Sequence, residues 1–153
     1  MNKKVEMSEA TIGYLISKTA LYFRITGLQF FKEKNFSITH EQFVILYILS
    51  IENGIYQRQL GKIALKDRPN ITRLIDILEE KGLVYREIDP NNRRIVKLFI
   101  TEEGKEQVNI IYPSILELNS IAMKGITAEE EAILKKLLET IRNNLDEMFK
   151  LQF

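Results

Sequence analysis

Apolar residues recur at spacings of three and four over most of the chain, and the interruptions in that rhythm mark the element ends. From Ser8 to Phe31, Ile12, Leu15, Ile16, Thr19 and Phe23 keep one helix face, with Ser8 as the N-cap and Glu9 in the first turn. The next start is sharper. Thr39 and Gln42 form a capping box and Ile38 can staple onto Phe43, so a helix runs from His40 to about Glu52. Asn53-Gly54 ends it, Ile55-Tyr56 form an extended stub, and Arg58 to Leu65 is a short helix turning Leu60, Ile63 and Ala64 inward. Gly61 in its middle costs about 1 kcal/mol against alanine, which close approach to the following helix would explain.

Asp67 caps a further helix over 68–81, with Pro69 tolerated in its first turn and Ile71, Leu74, Ile75 and Leu78 as its buried stripe. Gly82 stops it. The period then changes to that of two strands, Leu83 to Ile88 and Ile95 to Ile100, joined across the turn-forming residues Asp89 to Arg94. Thr101, followed by Glu102 and Glu103, opens a helix that Pro113 should kink or interrupt and Gly125 closes. Thr127 and Glu130 make a second capping box for a last helix with the stripe Leu134, Leu137, Leu138, Ile141, Leu145 and Met148.

This order predicts a mainly α protein with a small β-hairpin wing: a winged helix-turn-helix at 37–101 between an N-terminal dimerisation helix at 1–36 and C-terminal dimerisation helices at 102–153, all one domain. Both terminal helices carry more apolar surface than so small a reading head can cover. A helix of about 24 residues is about 36 Å long, and its surplus finds a partner if two copies pair across a two-fold axis. Folding back on the same subunit is the alternative.

Charge sharpens the picture. The net charge is only +1, but 56–101 holds ten basic against six acidic residues while the remainder is net acidic. A basic middle with acidic ends suits one segment facing phosphates. With the stripe of the second short helix committed to the core, Arg68, Asn70, Thr72, Arg73 and Asp76 are left on its outer face, where such side chains reach base edges and phosphates in a major groove. At the wing, the adjacent Arg93 and Arg94 repel each other, and an anionic partner relieves that cost. A minor groove, with its deep negative potential, is such a partner.

Other chemistry finds little support. The chain has no cysteine and a single histidine, His40, expected to be merely exposed, so no metal site and no cofactor are expected. No nucleophile motif, phosphate-cradling glycine loop or dedicated carboxylate pair is present, so the chain does not read as an enzyme. No signal-like or membrane-spanning segment is seen, and a cytoplasmic location without membrane association is expected. Tyr14, Lys18, Tyr22, Tyr47 and Tyr112 are candidates for lining an effector cleft, although core or interface packing accounts for them as well.

From Gln59-Leu60 to Asp67, through Ile71-Thr72-Arg73-Leu74-Ile75-Asp76-Ile77-Leu78-Glu79 and Lys81-Gly82-Leu83-Val84-Tyr85-Arg86, to Asp89–Arg94 and Leu98-Phe99-Ile100-Thr101, the chain resembles the MarR family of bacterial winged-helix regulators. The resemblance implies a homodimer on a pseudo-palindromic operator in double-stranded DNA, usually repressing transcription, and released by a small aromatic or anionic effector. It makes Arg68, Asn70, Thr72 and Arg73 the major-groove readers and Arg94 the wing-tip arginine. Asn92 departs from the pattern, standing where an aspartate more often orients that arginine; Gln57 and Gly61 are lesser departures. A winged-helix protein-interaction module, or a small-molecule binding protein without DNA affinity, is the competing reading.

Overall fold

The computed structural model describes residues 11–149 and, within them, every side chain except those of Arg93, Arg94 and Phe149. Two compact units are distinguished, residues 1–40 and 41–153. In the first, α1 (Ile12–Glu33) opens at Thr11, whose backbone is extended; the expected cap, Ser8, lies outside the described residues. At the other end Asn35 takes φ 53°, and the Phe36 N–H donates to Phe31 O, closing the helix with a left-handed residue. The Phe31 ring meets Phe36 and His40 edge-on at 5.1 and 5.4 Å. His40 is therefore a half-buried packing residue, against the expectation that it is merely exposed.

The second unit builds its core on α2 (His40–Ile51) through Ile45, Leu46 and Leu49. The short strand β1 (Ile55–Tyr56) follows, then α3 (Gln57–Ile63) and α4 (Arg68–Glu80). Leu60 of α3 and Ile71, Leu74, Ile75 and Leu78 of α4 are buried, as their spacing requires. Ile63 is a correction: it stays 45% exposed. The buried face of α3 is centred between Leu60 and Gly61, and at about 100° per residue Ile63 lies roughly 110° away from it. Gly61 itself behaves as anticipated, because a Cβ there would stand 3.2 Å from Lys66 O and 3.5 Å from Ile71 Cγ1 of α4.

The turn after α3 has the two bonds of a Schellman motif, Lys66 N–H to Gly61 O and Leu65 N–H to Lys62 O. Its left-handed position, usually glycine, is Leu65 at φ 50° with the side chain 62% exposed. Leu65→Gly therefore relieves backbone strain while losing little packing, and is expected to stabilise the protein by about 0.5–1 kcal/mol, read as a raised urea midpoint.

Strands β2 (Val84–Asp89) and β3 (Asn92–Ile100) form the wing hairpin, and β1 adds to β3, giving an antiparallel sheet of order β1-β3-β2. The sequence places the reversal across Asp89 to Arg94, but Asp89 already pairs with Asn92 and only Pro90-Asn91 turns. Asp89 Oδ1 accepts the Asn91 N–H at 2.8 Å and closes the reversal early. Arg93 and Arg94 thus lie near the start of β3, in the irregularity between the Asp89–Asn92 and Ile88–Val96 pairs.

Helix α5 (Glu102–Ala122) runs through Pro113 without interruption. Helix α6 (Ala128–Phe149) carries the expected capping box: the Glu130 carboxylate accepts the Thr127 N–H at 2.8 Å and Thr127 Oγ1 accepts the Glu130 N–H at 3.2 Å. The bond from the Thr127 backbone, assisted by its hydroxyl, holds the Glu130 pKa below its ordinary value. A lowered folded value means that the cap is fully present above the ordinary carboxylate range and is lost as pH falls through that lowered value, so the start of α6 frays only in acid.

Candidate nucleic-acid interface

Helix α4 is held through its N-terminal half before any ligand is considered. Asp67 Oδ1 accepts the Asn70 N–H at 2.9 Å, an N-cap worth about 1 kcal/mol. Gln57 Nε2 at the start of α3 donates to Thr72 Oγ1 at 2.9 Å, and Thr72 Oγ1 donates on to Arg68 O at 2.9 Å. That chain of two bonds ties α3 to α4 and gives Gln57, a departure from the family pattern, a structural role. It also commits the Thr72 hydroxyl to the protein.

Arg68, Asn70 and Arg73 are exposed on the outer face of α4, and none of their side chains bonds to another described residue. Asp76 is on the same face but is paired, with its Oδ1 2.6 Å from Arg86 Nη2 of β2. The structure thus brings together Arg68, Asn70 and Arg73 as free donors, and sets Thr72 and Asp76 apart as residues with internal partners. Arg93 and Arg94 are placed by backbone alone, in β3 beside the Pro90-Asn91 turn, and their side chains lie outside the described set.

Between α3, the start of α4 and the β3 arm runs a groove of about 980 Å³ lined by Arg58, Lys62, Lys66, Arg68 and Gln57 on one side and by Ile95 and Val96 on the other. Arg58 and Lys62 are exposed, stand one turn apart on α3, and were not singled out as contacts by sequence reasoning. Their i, i+4 spacing was the available signal. Lys66 is engaged by Glu41 at 2.9 Å. The first turn of α4 and the wing strand therefore line one concavity, with Arg58, Lys62 and Arg68 among its residues.

The turn end of the wing is fixed around Asp89, a buried carboxylate. Tyr56 Oη reaches its Oδ2 at 3.5 Å, Lys97 Nζ stands 3.9 Å away, and the Lys97 ammonium lies 5.4 Å from the centre of the Tyr56 ring. One side chain each from β1, β2 and β3 thus converges just below the turn.

Of the effector candidates, Tyr47 of α2 and Tyr112 of α5 are stacked, with centroids 5.4 Å apart and planes 9° from parallel, and Phe43 continues the stack at 5.9 Å from Tyr47. A hydrogen bond with Tyr112 raises the Tyr47 pKa above its ordinary value. Tyr14 and Lys18 form a cation–π pair on α1, 5.7 Å from ammonium to ring centre, and Tyr22 is exposed on the same helix. Among the described residues no group of three or more His, Asp or Glu is placed to hold a metal ion.

The family model described as MarR family matches residues 38–96. The chain is 30% identical over 122 residues to the uncharacterized HTH-type transcriptional regulator YybA of Bacillus subtilis (strain 168), covering 80% of this chain and 79% of that protein. The crystal structure of the transcriptional regulator SlyA superposes with a TM-score of 0.80 at 30% identity, over 92% of this chain and 98% of SlyA. The S. aureus MepR–DNA complex gives 0.78 at 25% identity, over 89% of this chain and 99% of MepR.

Proposed function

The chain belongs to the MarR family of transcriptional regulators, and from that premise we propose that it is a cytoplasmic homodimeric repressor that binds a pseudo-palindromic operator and is released by a small aromatic or anionic effector. Its work is DNA binding and not catalysis. One observation carries the reading: α4 buries Ile71, Leu74, Ile75 and Leu78 and leaves Arg68, Asn70 and Arg73 exposed and without side-chain partners among the described residues, with Arg68 also lining a groove shared with the wing. That a relative of the same fold, MepR, was crystallised with DNA supports the assignment. In this reading Arg68, Asn70 and Arg73 reach base edges, Thr72 offers its methyl group, Arg58 and Lys62 meet phosphates, and Arg93 and Arg94 carry the wing into the adjacent groove.

The dimer is supported by apolar surface left uncovered on α1 and α6, and the arms at 1–36 and 102–153 are assigned to it. The effector is assigned to the stacked pair Tyr47 and Tyr112 of α2 and α5. No helix among the described residues is long and apolar enough to cross a membrane.

The test is selection of genomic fragments by the purified protein, followed by a footprint of the best one. Arg73→Ala is expected to weaken binding to that fragment by about 1–3 kcal/mol and to relax its sequence preference. Arg58→Ala removes one phosphate contact per protomer, so the slope of log affinity against log salt should flatten by about 1.8 for a dimer. Recovery of no preferred fragment, or binding indifferent to salt, overturns the proposal.

A further inference from the structure

Asp76 was read from the sequence as a DNA-facing residue, but a carboxylate on the outer face of a recognition helix repels the polyanion that the helix must approach. The structure supplies its counter-charge from another element. Arg86, on β2, extends its guanidinium across the C-terminal half of α4, where Nη2 meets Asp76 Oδ1 at 2.6 Å and Nη1 meets Glu79 Oε2. Asp76 and Glu79 are three residues apart, so they present their carboxylates from one side of the helix as two jaws around one planar cation. The Glu79 jaw closes a second way. Its Oε1 accepts the Arg86 backbone N–H at 3.2 Å, and because β2 is an outer strand of the sheet, every second N–H of it lacks a strand partner. One carboxylate of α4 thus binds both the side chain and the main chain of a single wing residue.

We propose that Arg86 is a positioning residue for DNA reading: clamped between Asp76 and Glu79, it fixes the angle between α4 and the wing so that two adjacent grooves are entered together. The proposal rests on the DNA-binding reading above. Three features favour positioning over direct contact. The Arg86 side chain is only 24% exposed. Both of its terminal nitrogens are already used by carboxylates. Its main chain is gripped by the same residue that grips its side chain, which constrains the strand and not merely the charge.

The test uses the full chain, the duplex that the wild-type protein selects, and an unrelated duplex of equal length. Arg86→Met is expected to lower affinity for the selected duplex on the order of tenfold while leaving the unrelated duplex within about twofold and the salt slope unchanged, because no phosphate contact is lost. Arg86→Lys, which can satisfy only one jaw, should fall between Met and wild type. Glu79→Ala provides the opposing sign: if charge alone mattered, removal of a carboxylate beside DNA would raise affinity, whereas loss of the clamp lowers it for the selected duplex. Without any DNA, Glu79→Ala should also speed hydrogen exchange of the Arg86 amide. A salt slope flattened by about 1.8 in Arg86→Met, or a Glu79→Ala variant that binds the selected duplex more tightly, makes Arg86 a phosphate contact and overturns the proposal. So does an Arg86 amide as protected in Glu79→Ala as in wild type. A wild-type protein that prefers no duplex removes the regulator reading and this role with it, and the exchange measurement then reports on the clamp separately.

Discussion

Gly104→Ala is expected to destabilise the protein by about 3 kcal/mol, at the upper end of what overpacking costs. A Cβ added there would stand 2.3 Å from Leu83 O, 2.7 Å from Ile100 Cγ1 and 3.2 Å from Leu83 C. The first of these is backbone, which cannot swing away as a side-chain tip would. Nor can α5 withdraw, because its first turn is stitched to the start of β2. The Thr101 N–H donates to Leu83 O at 3.1 Å, Thr101 Oγ1 donates to Gly82 O at 2.8 Å, and the same oxygen accepts the Gly104 N–H at 3.0 Å. Relieving the clash breaks at least one of these bonds, a loss that exceeds the roughly 1 kcal/mol alanine gains in helix propensity. Urea unfolding should show a lower midpoint at unchanged slope. Gly13→Ala is the control, since no atom lies within 4 Å of a Cβ there, and it should be neutral or slightly stabilising. An unchanged midpoint for Gly104→Ala would mean that α5 is free to shift on the wing.

The reading head was largely legible because its determinants are local. The stripe of Ile71, Leu74, Ile75 and Leu78, the Asp67 cap and the Thr127–Glu130 box each depend on residues within a turn or two of one another, and each is found as the spacing implies. What escaped was non-local. The commitment of Thr72 to Gln57 spans fifteen residues and that of Asp76 to Arg86 ten, so neither is visible from the polar face of α4 taken alone. Ile63 was misplaced for a related reason: the inward direction of a seven-residue helix is set by the close approach that Gly61 permits, and no periodicity can be measured over so short a segment. At the wing, Pro and Asn marked a turn correctly, but the buried Asp89 carboxylate decided its length.

The pairing of two copies leads to the largest effect expected. In α6 no described side chain is buried, and Leu134, Leu137, Leu138 and Leu145 are 41–54% exposed along 22 residues of helix. In α1, Leu15, Leu21, Phe23, Ile25 and Leu28 are likewise exposed. Apolar area on this scale does not normally remain against water, and pairing across a two-fold axis is the way a second copy would cover it. Leu138→Glu with Leu145→Glu keeps helix propensity, since glutamate is nearly as good a helix former as leucine, and places four charges in the dimer interface. Full burial of a leucine is worth about 1.5–3 kcal/mol, and Leu138 and Leu145 are already about half covered within one copy, so losing four should weaken dimerisation by about 3–6 kcal/mol, about two to four orders of magnitude in Kd. Sedimentation at micromolar concentration should then find monomer where wild type is dimer. The core of the reading head draws on α2, α4, the sheet and α5 rather than on α6, so its fold should persist and far-UV ellipticity should largely be kept. On DNA the consequence is specific: a monomer protects one half-site, and the footprint shrinks from two recognition helices about 34 Å apart to one. A double variant that stays dimeric would move the interface elsewhere. A wild-type protein monomeric at every concentration would leave this apolar surface without the partner proposed for it.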